Sequence, residues 1–319
     1  MAEKILITDN TRGEPTRHVP RISGGPVAIL DSYYAPIQEL GLETYVSELE
    51  TYGYTVIPPE KVGPVDFALA IREVLLRVIE ERTGVAHQVD RNGDHGHYKG
   101  QPQLDNQFLL YYLLFADPIF EDWLENPVLR ALINFVMRDR GQLSSLTSFV
   151  KWNGKGYGDG LGLHSDSPAS PEGVLPTTHD LVCNGALVLT DYTKEDGALA
   201  IVPGSHRLAR QPRHDDGVKW AVPVEAPVGS LIFWHGNTWH GAFPKKTDGL
   251  RLNLTSYICN RHMKTQEAYQ GAVPKEMLAR HGAWFARLLG ADDPYGWDEE
   301  GPGFEAAASY KSGTADASD

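Results

Sequence analysis

Cysteine is scarce in this chain: Cys183 and Cys259 are the only two among 319 residues. That excludes a disulfide framework, and the apolar runs around both suit small buried thiols. Long hydrophobic runs are also missing. The longest, Phe108 to Ala116, is far short of the roughly 20 residues that cross a bilayer, so no membrane span is expected. Positive charge is in deficit, with 29 Lys and Arg against 42 Asp and Glu and a formal net charge of −13. A field of that sign repels nucleic-acid phosphates and anionic lipid surfaces, so neither is an expected partner. The opening MAEKILITDNTRG has no apolar leader core, and a cytoplasmic location is the expectation. No period of roughly 20 to 50 residues recurs, which excludes solenoids and propellers.

Turn-formers and apolar residues are plentiful. Thirty-two Gly and 21 Pro accompany 41% hydrophobic and 10% aromatic residues, a composition that suits many short strands around a real core. Residues 1–35 are polar and punctuated by Pro and Gly, and read as a partly ordered N-terminal arm. Leu40, Leu42, Tyr45, Val46, Leu49 and Tyr52 recur at helical spacing up to Gly53, and Tyr54 to Ile57 reads as a strand closed by Pro58 and Pro59. Pro64, Gly84 and the stripe Leu69, Leu75, Leu76, Ile79 predict a helix over Val65 to Arg82. Asp105 to Asp139 has helical length, interrupted by Pro118 and Pro127. From Leu146 the period shortens. Runs at Leu146–Trp152, Leu181–Asp191, Ala198–Val202, Trp220–Val224, Leu231–Trp234 and Leu250–Cys259 are β-branched, aromatic and separated by turn residues, which predicts a sandwich or barrel. A helical pattern returns over Lys275 to Leu289, and residues 305–319 form a small-residue polar tail read as disordered.

Twelve histidines are present, so spacing has to select among them. In Leu161-Gly-Leu-His164-Ser-Asp166, an imidazole and a carboxylate two residues apart share one face of an extended strand. A third ligand would complete the 2-His-1-carboxylate face that holds Fe(II) and leaves positions open. His235 and His240 are the candidates, and a five-residue offset sets them on opposite faces. His240 is preferred. Eleven residues on, Arg251 opens an apolar strand where its guanidinium fork could grip a carboxylate bidentately.

These features resemble the phytanoyl-CoA dioxygenase (PhyH) family of Fe(II)- and 2-oxoglutarate-dependent oxygenases. The resemblance rests on LGLHSDSP, on GALAIVPGSHR (Gly197 to Arg207), on GSLIFWHGNTWHG (Gly229 to Gly241), on Arg251 and on TYGYTVIPP (Thr51 to Pro59). It implies a mainly β fold with flanking helices, built on a double-stranded β-helix (jelly-roll, cupin-like) core. One catalytic domain then spans residues 36–304, as a helical wrap over 36–140, the jelly-roll over 141–260 and a C-terminal helical segment over 261–304. The resemblance makes His164, Asp166 and His240 the iron ligands and catalytic residues. Arg251 becomes the partner of the distal carboxylate of 2-oxoglutarate. Position 242, two after the distal histidine, is often a hydroxyl residue in the family and is Ala here, a departure that puts one helper contact to 2-oxoglutarate in question and leaves the Arg251 contact untouched. Asp166 favours oxygen transfer over halogenation, in which a halide takes the carboxylate's place.

The implied reaction consumes O2 and decarboxylates 2-oxoglutarate to succinate and CO2 while a small or medium organic substrate is oxidised, by hydroxylation in the simplest case. Trp152, Tyr157, Trp239 and Phe243 are the candidate pocket aromatics. Gly154 to Gly160 is read as a lip before the metal strand, Lys245 and Lys246 as a solvated turn, and His206 as bonded to its own turn. His95, His97 and Tyr98 are read as surface residues of a polar loop. Two rivals use the same ligands: a cupin-like metal-binding protein without oxygenase turnover, and a metal-dependent hydrolase or isomerase. Both leave Arg251 without a purpose.

Overall fold

The computed structural model describes residues 28–98, 104–176, 180–292, 297 and 299–304. Residues 1–27 of the expected arm, the 305–319 tail, and Lys99 and Gly100 of the polar loop lie outside them.

Five elements open the described chain: α1 (Ala28–Glu39), α2 (Glu43–Tyr52), β1 (Tyr54–Ile57), α3 (Pro59–Val62) and α4 (Val65–Thr83). The helix α1 starts before the expected boundary at residue 36, so the end of the arm is helical. Next come β2 (Gln107–Leu110), α5 (Ile119–Leu124) and α6 (Pro127–Met137). Pro118 and Pro127 each sit at a helix start, where a missing N–H costs nothing. Asn126 caps α6 by accepting the N–H groups of Val128 and Leu129. Gln107–Leu110 departs from the helical reading of its segment. It pairs antiparallel with Ser148–Lys151, and this edge ladder overrides the local composition.

The strands β3 (Gly141–Lys151), β4 (Val182–Val188), β5 (Leu199–Ile201), β6 (Val222–Val224), β7 (Leu231–His235), β8 (His240–Ala242) and β9 (Asn253–Asn260) follow, and then α7 (Lys275–Arg280) and α8 (Ala283–Leu288). The single helix expected over Lys275 to Leu289 is split around Gly282, a residue that disfavours a helix interior by about 1 kcal/mol. Each of the six expected β runs overlaps a strand, and β3 starts at Gly141, ahead of the expected Leu146.

The strands form a six-stranded sheet, in the order β1-β7-β4-β9-β3-β2, and a three-stranded sheet, β6-β5-β8. All their ladders are antiparallel. Together they make the jelly-roll core. Alternation along the large sheet separates two apolar regions. Cys183, Leu187, Leu231, Phe233, Leu254 and Ile258 pack outward with helical residues such as Leu49, Ile71, Leu75, Leu129 and Leu132. Ala186, Val188, Ile232 and Trp234 point inward with Tyr192, Ala198, Ile201 and Val224. Each fully buried Leu or Phe contributes roughly 1.5–3 kcal/mol, so the helix-covered face is the main anchor and leaves the interior free to carry polar groups. Both cysteines are buried and unpaired. No helix among the described residues is long and apolar enough to cross a membrane.

Candidate metal centre

His164 and His240 face each other across the small sheet's edge. Each donates its backbone N–H to the other's carbonyl at 2.9 Å, and their rings lie 4.4 Å apart. The metal strand is thus a single bridge beside β8 rather than a long ladder, because Asp166 and Ser167 turn away to bond the Gly236 carbonyl. Gly241 makes the close approach possible. A Cβ there would stand 2.1 Å from the Leu161 carbonyl oxygen, so any side chain would push the metal strand off β8.

Asp166 lies between the two rings. Its Oδ1 is 3.5 Å from His164 Nε2 and its Oδ2 is 3.3 Å from His240 Nε2. One donor atom from each of the three residues falls within 4.8 Å of the others. Both histidines turn Nδ1 to a carbonyl two residues back, Gly162 at 2.8 Å and Thr238 at 3.0 Å. Those bonds fix Nδ1 as the protonated nitrogen and leave the Nε2 lone pairs for a cation. Asn184 on β4 donates to Asp166 Oδ2 at 2.9 Å, and Tyr257 on β9 donates to the Asp166 carbonyl at 3.1 Å. The donor set, two imidazole nitrogens and one carboxylate, fits iron.

Loss of surrounding water acts against charge on all three, although the His164 side chain keeps 52% of its surface open. That loss lowers the pKa of His240, and His164 adds to the fall against the pull of Asp166. Burial would raise Asp166, but His240 first and then the His164 contact hold it below its ordinary value. Burial likewise opposes charge on His164, and the bond to Asp166 outweighs it and raises the pKa. An ionised Asp166 and a neutral His240 are the forms that donate to a metal.

Arg251 sits at an isolated bridge to Lys151, two residues before β9, and is 4% exposed. It donates from Nη1 to Tyr192 Oη at 2.8 Å, and its guanidinium lies 4.9 Å from that ring. Its Nε is buried with no hydrogen-bond partner. A buried donor without an acceptor costs about 1–3 kcal/mol, so the fork suits a carboxylate ligand.

The remaining sequence candidates divide. Tyr157 stands by the metal strand, with its ring against Gly162 and its hydroxyl accepting from Gln107 at 3.4 Å. Phe243 is half-buried under the Lys194 ammonium, 5.3 Å from the ring centre. Trp152 belongs to the helix-side core, 6.0 Å from Phe108 and 4.8 Å from His95. Trp239 packs under Arg210 and donates to the Arg210 carbonyl. Strand alternation turns it to the face opposite His240, so neither tryptophan is brought to the metal ligands.

His235 also points away from them, with Nδ1 3.2 Å from Asp180 and its ring stacked on His206. His206 bonds the Glu50 carbonyl rather than its own turn, and burial beside His235 lowers its pKa to about 4. Lys246 is exposed as expected, but Lys245 is buried because Asp196, Thr247 and the Asp248 carbonyl receive its ammonium. Tyr98 is buried and bonds the Leu109 carbonyl, and His95 bonds the Asp105 carbonyl, so that loop is fastened to the β2 edge. The lip is tied at its start, where Gly154 bonds the Lys245 carbonyl.

Sequence reasoning missed Asn184, Gln107 and Lys151. Their signal was a polar side chain inside an apolar strand, as in VCNGALV and LTSFVKW.

A jelly-roll that brings two histidines and a carboxylate within 4.8 Å of one another carries the donor set of a 2-His-1-carboxylate metal site. The phytanoyl-CoA dioxygenase (PhyH) family profile matches residues 49–253, and the chain belongs to that family. Iron and 2-oxoglutarate are the cofactors of enzymes of this kind. The uncharacterized protein Rv1501 of Mycobacterium tuberculosis is 24% identical over 186 residues, covering 57% of this chain and 66% of its own. Dioxygenase af480 of Aspergillus fumigatus is 28% identical over 172 residues, 53% of each chain. The chain therefore spans between about half and two thirds of these curated relatives. Among solved structures, HygX from Streptomyces hygroscopicus, with nickel and 2-oxoglutarate bound, superposes with a TM-score of 0.53 at 18% identity, over 70% of this chain and 88% of that one. At that identity the likeness concerns the fold.

Proposed function

We propose that the chain is an Fe(II)- and 2-oxoglutarate-dependent dioxygenase that hydroxylates a small or medium organic molecule. One observation carries the reading: His164, Asp166 and His240 converge with both Nε2 atoms freed by carbonyl-bound Nδ1–H groups. His164, Asp166 and His240 would hold the iron, and Arg251 would receive the distal carboxylate of 2-oxoglutarate. Bound together, iron and 2-oxoglutarate supply dioxygen activation coupled to decarboxylation, with succinate and CO2 as the products of the cosubstrate.

The chain's own residues do the rest. Asn184 keeps Asp166 turned toward the two rings, and the carbonyls of Gly162 and Thr238 hold each imidazole in one tautomer. Tyr192 fixes the Arg251 fork by accepting from Nη1. Ala186, Val188, Ile232 and Trp234 line the interior with apolar surface, which excludes water and strengthens the charge contacts. Exposed His164 and the neighbouring Tyr157 mark the side from which substrate arrives. HygX has also been solved with hygromycin B beside nickel and 2-oxoglutarate, which supports a small-molecule substrate. A metal-binding protein without turnover, or a hydrolase, has no use for a buried guanidinium with an unspent Nε.

The test is anaerobic addition of Fe(II) and then 2-oxoglutarate. The visible charge-transfer band of the chelate is expected, and Arg251→Ala weakens 2-oxoglutarate without abolishing Fe(II) binding. Absence of the band in the intact protein overturns the reading.

A further inference from the structure

The interior holds a second buried cation beside Arg251. Lys151 ends β3, is 0% exposed, and lies directly opposite Arg251 in an antiparallel bridge, with backbone bonds of 3.1 and 2.7 Å between them. Directly opposed residues share one face of a sheet, so both side chains project from the same side. Lys151 Nζ donates to the Phe243 carbonyl at 2.7 Å. Among the described residues it forms no ion pair.

Lys245 provides the contrast. It is equally buried, yet its ammonium meets Asp196, Thr247 and the Asp248 carbonyl. One buried lysine is compensated within the fold and the other is not. Burying a charge without a partner is expensive, and an ammonium with two further donors, next to a guanidinium with an unspent Nε, calls for an anion at both. The position is informative too. Phe243, whose carbonyl anchors the ammonium, directly follows Ala242, where the family often carries a hydroxyl.

We propose that Lys151 is a second cosubstrate-binding residue, which joins Arg251 on the distal carboxylate of 2-oxoglutarate in place of the hydroxyl that Ala242 lacks. The inference rests on the dioxygenase reading. It makes the pocket selective for a 2-oxo acid with a second carboxylate over a 2-oxo monoacid.

The test is anaerobic titration of the Fe(II)-loaded protein, read at the charge-transfer band, with 2-oxoglutarate and with 2-oxobutyrate, which lacks the distal carboxylate. Lys151→Met is expected to weaken 2-oxoglutarate by about 10- to 100-fold, the range of a charge-assisted bond, and to leave 2-oxobutyrate unchanged. Lys151→Arg is expected to retain most of the 2-oxoglutarate affinity. Adding Ala242→Ser to Lys151→Met is expected to restore part of it. Equal weakening of both acids would show Lys151 to be only a brace on Phe243 and would overturn the proposal, as would undiminished 2-oxoglutarate affinity in Lys151→Met. If Lys151→Met does not fold, Lys151→Gln in the same titration carries the same expectations. A wild-type protein that gives no band with 2-oxoglutarate fails at the earlier step, the dioxygenase reading itself.

Discussion

Asn184 on β4 donates its side-chain amide to Oδ2 of Asp166, 18 residues earlier in the sequence, at 2.9 Å. The bond couples the rigid centre of the large sheet to the one carboxylate of the metal group, which otherwise hangs from an irregular segment. Replacing Asn184 with Ala is expected to lower metal affinity by about 10- to 100-fold, the usual cost of losing a group that orients a ligand. Calorimetric titration with Fe(II) or Ni(II) measures it. Unchanged affinity would mean that Asp166 is oriented by its backbone alone.

Gly241→Ala places a methyl against the Leu161 carbonyl. A carbonyl has little room to retreat, so the bridge between His164 and His240 should open. The expected result is a stability loss of about 1–3 kcal/mol, as for overpacked interiors, together with weakened metal binding. Denaturant unfolding and a metal titration on the same sample measure both, and a variant that loses neither would show that the two strands can separate freely.

The two tryptophans offered by the sequence separate stability from chemistry. Trp152→Ala is expected to cost about 3–5 kcal/mol, as for large core aromatics, and to leave 2-oxoglutarate affinity intact. A variant of unchanged stability with altered affinity would move Trp152 back to the pocket.

Much of this was legible in the chain. Strand content could be read because alternation and turn residues agree from Leu146 to Cys259, and the metal group because His164, Asp166 and His240 keep a recognisable order. The helix over Val65–Thr83 was marked by Pro64 and Gly84. Gln107–Leu110 was misread because an edge strand of four residues inside a long apolar run has no period of its own. Trp152 packs against Phe108 and Trp239 under Arg210, which sequence nearness to a ligand strand does not reveal, because it does not tell which face a side chain takes. Lys245 was misread because its partner Asp196 is 49 residues away, and no local pattern reveals such pairing.

Lys151 also sets a pH dependence. Burial first, then Arg251 and Lys245, lower its pKa from 10.5 to about 7. An unfolded chain keeps this lysine protonated up to about pH 10.5, so between pH 7 and 10.5 the unfolded state binds more protons and stability without ligand rises with pH. Ligand binding runs the other way, because the carboxylate needs the ammonium. Raising the pH above 7 is expected to weaken 2-oxoglutarate binding by up to about tenfold per unit in the wild type, with little change in Lys151→Arg. Titrations across pH 6.5 to 9 and thermal melts of wild type against Lys151→Met measure the two slopes, and parallel slopes in wild type and variant would exclude Lys151 as the titrating group.

The large sheet is a wall with different demands on its two sides. Leu187, Phe233 and Leu254 answer only to helix packing, whereas Asn184 answers to Asp166 and, on the proposed reading, Arg251 and Lys151 would answer to a ligand. Mutational drift can therefore proceed at two speeds in one strand, residue by alternate residue. An engineer could tighten the helix side to raise heat tolerance and reshape the interior for a new substrate as two separate projects.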